Sequence, residues 1–163
     1  MIKVAINGFG RIGSLAFRAA ILSDDIEVVA ISAPNHPASH VAYCVKYDTV
    51  HGRFPGVVTS NDEDSTITVN GKVVKILSDK SYRDASLLPW GELGVDYVLE
   101  CTGVYLTKEK AQAHIDAGAK LSRSRVMPIC RQSLWVVTSA WLTTLLERIS
   151  RHCSADSPSP SRA

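Results

Sequence analysis

Gly8-Phe9-Gly10-Arg11-Ile12-Gly13 sets three glycines at the G-x-G-x-x-G spacing. The chemistry such a run serves is the binding of a dinucleotide pyrophosphate. Gly8 permits a tight turn, Gly10 lets backbone approach the phosphates, and Gly13 lets helix and strand pack closely. The helix that follows offers free N–H groups and partial positive charge to the anion. Glycines punctuate many turns, so the pattern carries weight only between a strand and a helix. Residues 2–6, Ile-Lys-Val-Ala-Ile, read as a short buried strand. Ile12, Leu15, Ala16, Ala19 and Ala20 recur at helical spacing from Arg11 to about Leu22. The context is the required one.

A dinucleotide fold usually carries an acid about 20 residues further on, to bond the ribose 2′-hydroxyl. That count reaches Ala33, flanked by Ser32 and Pro34, and none of the three is acidic. A carboxylate there would repel a 2′-phosphate; without it the repulsion is gone, and Ser32 can donate a hydrogen bond. The expected cofactor is therefore NADP or NAD, with NADP accepted.

The elements that hold these residues form an α/β pattern. Residues 26–31 are a near-continuous apolar run, as in a parallel strand covered on both faces. Strand, helix and strand make a βαβ unit. A loop at 34–37 and a short helix at 38–45 follow. Val57-Val58, residues 66–69 and residues 72–77 alternate in the β manner. Asn70-Gly71 between the last two signals a type I′ hairpin. Residues 95–100 are another apolar strand. Residues 107–117 read as a helix capped by Thr107 and ended by Gly118. The expected fold is α/β, a Rossmann-type parallel sheet with a small antiparallel hairpin insertion, occupying residues 1–120.

The chain has 163 residues, 45% of them hydrophobic and 21% charged, as in an ordinary globular domain. Net charge is +2, unevenly spread. Beyond Asp116 the acids are Glu147 and Asp156, against Lys120 and Arg123, Arg125, Arg131, Arg148, Arg151 and Arg162. A basic tail can bind nucleic acid, yet this one offers only Trp135 and Trp141 for base stacking, so no nucleic-acid partner is expected. Cys44, Cys101, Cys130 and Cys153 form no Cys-x-x-Cys pair, which argues against a metal site. No apolar run reaches the roughly 18 residues of a membrane helix. Met1 leads straight into a strand pattern with no signal peptide, so a reduced, cytoplasmic setting and no membrane partner are expected.

The same stretches carry a resemblance. Ile-Asn-Gly-Phe-Gly-Arg-Ile-Gly at 6–13 resembles the opening of the glyceraldehyde-3-phosphate dehydrogenases. So do Lys46-Tyr47-Asp48-Thr49-Val50-His51-Gly52, Leu88-Pro89-Trp90, Gly94-Val95-Asp96, Leu99-Glu100-Cys101-Thr102-Gly103, and the run from Lys108 through His114 to Lys120. The resemblance implies an oxidoreductase that oxidises an aldehyde through a thiohemiacetal on cysteine, passes hydride to nicotinamide and releases the acyl group to phosphate. It implies that Gly8, Gly10, Arg11, Ile12 and Gly13 hold the pyrophosphate. Thr102 and Gly103 would lie by the cofactor, and Lys80 would match a basic residue on the adenine side. Ser32-Ala33 stands where the family usually has Asn-Asp, and members preferring NADP resemble this chain in lacking that Asp. Ser14 replaces a second Arg. The family is homo-oligomeric.

The resemblance stops at Lys120. The family nucleophile sits in a Ser-Cys-Thr-Thr-Asn motif, absent here, and the catalytic His comes later still. Cys153 beside His152 is not assigned the role, because sequence neighbours rarely face each other, and no catalytic residue is expected in this chain. Cys101 reads as a strand-end filler. Residues 121–163 form a non-matching tail whose Ser/Pro/Arg end reads as disordered. Residues 125–131 can be encoded so that a shifted frame yields Gly-Asp-Ala-Asp-Leu-Pro, similar to the family's next segment, so the tail is expected to be a frameshift product. The alternatives are a non-catalytic, truncated NAD(P)-binding module and a fragment that does not fold stably.

Overall fold

A computed structural model describes residues 1–105 and 107–124. The apolar run at the start forms β1 (Ile2–Asn7). Val4, Ala5 and Ile6 are all fully buried. Because successive side chains point to opposite faces, both faces of this strand must be covered. α1 (Arg11–Ile21) covers one of them with Ala16, Phe17, Ala20 and Ile21. β2 (Ile26–Ser32) returns parallel to β1, in register from Ile2 opposite Ile26 to Asn7 opposite Ser32, with a shift between Val4 and Ala5.

The chain then turns at Ala33-Pro34-Asn35-His36. The His36 N–H donates to the Ala33 carbonyl at 3.0 Å, and Asn35 takes φ 68°. Proline second and a left-handed asparagine third is type II turn chemistry. α2 (Ala38–Lys46) packs on the same face as α1 through Val41 and Val45. A two-stranded ribbon follows, β3 (Tyr47–Asp48) against β4 (Gly52–Arg53). Arg18 anchors it from inside: Nε donates to the Val45 carbonyl at 2.9 Å, Nη1 to the Gly52 carbonyl at 3.1 Å, and the guanidinium lies over Phe54.

β5 (Val58–Asn61), β6 (Thr66–Val69) and β7 (Lys72–Leu77) form an antiparallel meander. Asn70 and Gly71 take φ 52° and 82°, both positive as a type I′ turn demands, and Val69 pairs with Lys72. β7 joins the main sheet parallel to β2. β8 (Tyr97–Glu100) lies parallel to β1, followed by α3 (Lys108–Asp116) and β9 (Leu121–Ser124), parallel to β8. The order across the sheet is β5-β6-β7-β2-β1-β8-β9. Helix α3 starts at Thr107, whose Oγ1 accepts from the Lys110 N–H, and ends at Gly118, φ 99°, as the glycine signal anticipated.

Two apolar layers result. Phe17, Ile31, Val41, Val45 and Ile76 fill one, and Trp90, Leu88, Val95 and Val98 fill the other. The architecture is the Rossmann-type parallel sheet with an antiparallel hairpin. The sheet takes in four residues beyond Lys120, where the resemblance stops. The tail expectations, including the frameshift and the disordered end, concern residues 125–163, which lie outside the described residues.

Candidate dinucleotide-binding site

The strand order reverses at β1. From it the chain crosses by α1 to β2 on one side, while β8 pairs on the other. In open α/β sheets the ligand crevice opens at such a point, beyond the carboxyl ends of the strands. Three loops converge there: the glycine turn after β1, the turn after β2, and residues 101–105 after β8.

The glycine turn is tight for visible reasons. Gly8 takes φ 91°, and a Cβ on it would stand 2.9 Å from the Thr102 nitrogen and 2.6 Å from Thr102 Cγ2. Its N–H donates to the Ser32 carbonyl at 3.0 Å. A Cβ on Gly13 would stand 2.0 Å from the Gly8 carbonyl oxygen, so α1 is seated directly on the turn. Gly10, by contrast, has open space around its Cβ position. Gly10 is the N-cap of α1 and no side chain bonds to the helix start. Arg11 and Ile12 are exposed there, Ile12 by 61%. The first amides and the helix dipole are thus offered to an anion rather than consumed internally.

The structure brings together Gly8, Gly13, Ser32 and Thr102, with Gly10, Arg11 and Ile12 at the open rim. Ala33 follows Ser32 at the end of β2, 2% exposed. Ser32 is fully buried and its Oγ has no hydrogen-bond partner. Lys80 stands apart on a different loop, after β7. That loop runs beside the turn after β2, since the Ala33 N–H donates to the Leu77 carbonyl and the Asn35 N–H to the Ser78 carbonyl. Gly103, φ 76°, is exposed beside Thr102.

The sequence reading assigned no role to the group that holds these loops together. Glu100 ends β8 inside the fold, 6% exposed. Its carboxylate accepts from Asn7 Nδ2 at 2.6 Å, from the Thr102 N–H at 2.7 Å, from Thr102 Oγ1, and from His114 Nε2 at 2.9 Å. Trp90 Nε1 lies 3.2 Å from His114 Nδ1. An indole N–H can only donate, so Nδ1 accepts and the ring proton facing Glu100 sits on Nε2. Burial pushes the Glu100 carboxyl up, but the hydrogen bonds from His114, Thr102 and Asn7 outweigh it and hold it below its ordinary value. One carboxylate therefore clamps the ends of β1 and β8 and the start of the Thr102 loop. The available signal was a lone acid closing an apolar strand.

Cys101 is half-buried beside this clamp, its thiol pushed up to about 12 by burial and by the Glu100 charge. That suits a filler rather than a nucleophile. Ser14 is buried, with Oγ donating to the Arg11 carbonyl at 3.1 Å. No cluster of His, Cys, Asp and Glu suited to a metal occurs among the described residues, and no helix among them is long and apolar enough to cross a membrane.

Comparison with known proteins decides what this site belongs to. Residues 2–108 match the family described as glyceraldehyde 3-phosphate dehydrogenase, NAD binding domain. The chain belongs to that family. A chloroplastic glyceraldehyde-3-phosphate dehydrogenase of Arabidopsis thaliana is 51% identical over 118 residues, which is 72% of this chain and 27% of the relative. The enzymes of Debaryomyces hansenii and Neurospora crassa are each 48% identical, over 119 and 120 residues, covering 73% and 74% of this chain and 34% of each relative. The chain spans about a third or less of the length of these curated relatives. What the family profile covers is the NAD-binding domain of glyceraldehyde-3-phosphate dehydrogenase, a dinucleotide-dependent oxidoreductase, and the uncapped start of α1 over the glycine turn fits that ligand.

Proposed function

We propose that this chain binds NADP(H), accepting NAD(H) less well, as the cofactor-binding part of a phosphorylating glyceraldehyde-3-phosphate dehydrogenase. The observation that carries the reading is the end of β2. Ala33 stands where a ribose-binding carboxylate would repel a 2′-phosphate, and Ser32 Oγ beside it lacks a partner. Gly8, Gly10, Arg11, Ile12 and Gly13 would hold the pyrophosphate, Lys80 would flank the adenine side, and Thr102 and Gly103 would line the far loop. The bound cofactor supplies the hydride-accepting ring. The chain's own groups bind and orient it, and Glu100 keeps the two loops in register.

These residues orient a cofactor but supply no nucleophile, and Ser-Cys-Thr-Thr-Asn does not occur in the sequence. We therefore assign no turnover to this chain by itself, and leave self-association to the longer family members. We take residues 1–120 as the domain and the remainder as a shifted reading frame. In favour is Ser122 on β9, whose buried Oγ has no partner on a parallel strand, where an apolar side chain would leave no polar atom unsatisfied. A reducing, cytoplasmic setting suits the free thiols of Cys44 and Cys101.

Titration of the full chain with NADPH and NADH, followed by calorimetry, tests the cofactor reading. Saturable binding with NADPH tighter is expected, with no reduction of NADP when the aldehyde and phosphate are added. Tighter binding of NADH, or none of either by folded protein, would overturn it. The nucleotide sequence across codons 115 to 163 tests the frame: a second frame reading on through Gly-Asp-Ala-Asp-Leu-Pro to Ser-Cys-Thr-Thr-Asn is expected.

A further inference from the structure

Next to Ala33 stands a pair of imidazoles for which the family resemblance offers no role. The type II turn brings the His36 backbone back to Ala33, its N–H on the Ala33 carbonyl at 3.0 Å. The first and last Cα atoms of such a turn lie within about 7 Å. The His36 ring stacks on His40 of α2, with centroids 4.7 Å apart and planes 18° apart. Both residues are exposed, so the pair is open to a ligand lying along the end of β2. His40 is held in turn by Cys44, Nε2 to Sγ 3.6 Å.

A cofactor site of this kind reads the 2′ position at the end of β2, with a carboxylate for a hydroxyl or a cation for a phosphate. Here the carboxylate is missing, and Ser32 Oγ is buried there without a partner. The groups nearby that can carry positive charge are His36, His40 and Lys80. We propose that His36, oriented by its stack on His40, is the specificity-determining contact for the cofactor 2′-phosphate. The assignment rests on the NADP reading above.

The surrounding charges leave the pair available. Asp62, on the turn between β5 and β6, is committed to the Ser39 N–H at 2.7 Å. Asp64 on the same turn is held by Asn61 Nδ2 at 2.6 Å, and Glu63 beside it is exposed. Asp79, after β7, is occupied by the Ser81 N–H and Oγ, both at 2.8 Å. Arg18 is turned to the Val45 and Gly52 carbonyls. Cys44 stays a neutral thiol, because burial raises it. An imidazole N–H can donate to a phosphate oxygen, so one ring facing the phosphate and the other bracing it by stacking is the favourable arrangement.

The test uses the full chain, with NADPH and NADH dissociation constants measured by calorimetry for the wild type, His36→Gln and His40→Gln. The expected result for His36→Gln is NADPH binding weaker by about tenfold, the worth of one charge-assisted hydrogen bond. Its NADH constant should not change, which also certifies that the variant is folded. His40→Gln should lose part of the preference. If the wild type prefers NADPH while His36→Gln leaves both constants unchanged, the imidazole assignment is overturned and the NADP reading stands. If the wild type does not prefer NADPH, the NADP reading itself fails, and this assignment with it.

Discussion

Gly13→Ala and Gly10→Ala each add one methyl group to the same turn, with different consequences. On Gly13 the new carbon would stand 2.0 Å from the Gly8 carbonyl oxygen and 3.1 Å from its carbon, while ordinary contact begins near 3.4 Å. About 1.4 Å must therefore open between α1 and the turn. Both clashing partners are backbone, so no side chain can swing aside. Overpacking of this kind costs up to about 3 kcal/mol, offset by about 1 kcal/mol from the better helix propensity of alanine. A net loss near 2 kcal/mol lowers the melting temperature by roughly 8 °C in a domain of this size. Because the start of α1 moves by more than 1 Å, its amides lose their aim at the phosphates, and cofactor binding should weaken by about tenfold or more, the worth of one charge-assisted hydrogen bond. On Gly10 nothing lies within 4 Å, and φ is −91°, which alanine adopts without strain. The change there is limited to the poorer N-cap, under about 1 kcal/mol, yet the methyl group projects where phosphate must approach. Thermal melts and NADPH titration of both variants decide the matter. Gly13→Ala should lose stability and binding, and Gly10→Ala binding alone. A Gly13→Ala variant that melts with the wild type, or a Gly10→Ala variant that binds as the wild type does, would refute the close-approach argument.

Four further outcomes follow from the geometry. Ala33→Asp should invert cofactor choice, weakening NADPH by about tenfold or more through like-charge juxtaposition while leaving NADH equal or tighter; unchanged selectivity in paired titrations would count against the NADP reading. Glu100 is held below its ordinary value by its hydrogen bonds, so its stabilisation is present above that ordinary value and is lost as pH falls through the depressed one. Urea midpoints of the wild type should accordingly fall in acid more steeply than those of Glu100→Gln, and parallel acid profiles would show that the clamp contributes nothing. Asp48, lowered to about 2 chiefly by the His51 backbone N–H, should remain ionised through most of that titration, as carboxylate chemical shifts can check. Finally, mass-spectrometric mapping after brief alkylation at mild alkaline pH should find Cys44 modified well ahead of Cys101, whose thiol is pushed up to about 12.

Much of the site was legible in the residues themselves. The glycine spacing declares itself because only glycine tolerates φ 91° at Gly8 and a carbonyl 2.0 Å from the Cβ position of Gly13. The hairpin at Asn70-Gly71 and the helix bounded by Thr107 and Gly118 were equally readable, since each depends on the local backbone preference of one or two residues. The match of residues 2–108 to the family adds the identity of the ligand.

Long-range polar contacts were not legible. Asn7 and Glu100 are 93 residues apart, and Trp90 and His114 are 24 apart. Nothing local to Glu100 says that four donors will converge on it, or that Arg18 will be buried against the Val45 and Gly52 carbonyls. Even Ser32, correctly placed at the end of β2, could not be known to be fully enclosed with its hydroxyl unpartnered. By itself the sequence determined where the chain turns and where the glycine loop stands between strand and helix, because backbone preference and hydrophobic period act over a few residues. The tertiary structure alone decided which groups hold those turns together. A buried hydrogen bond depends on distances that only the packed sheet sets.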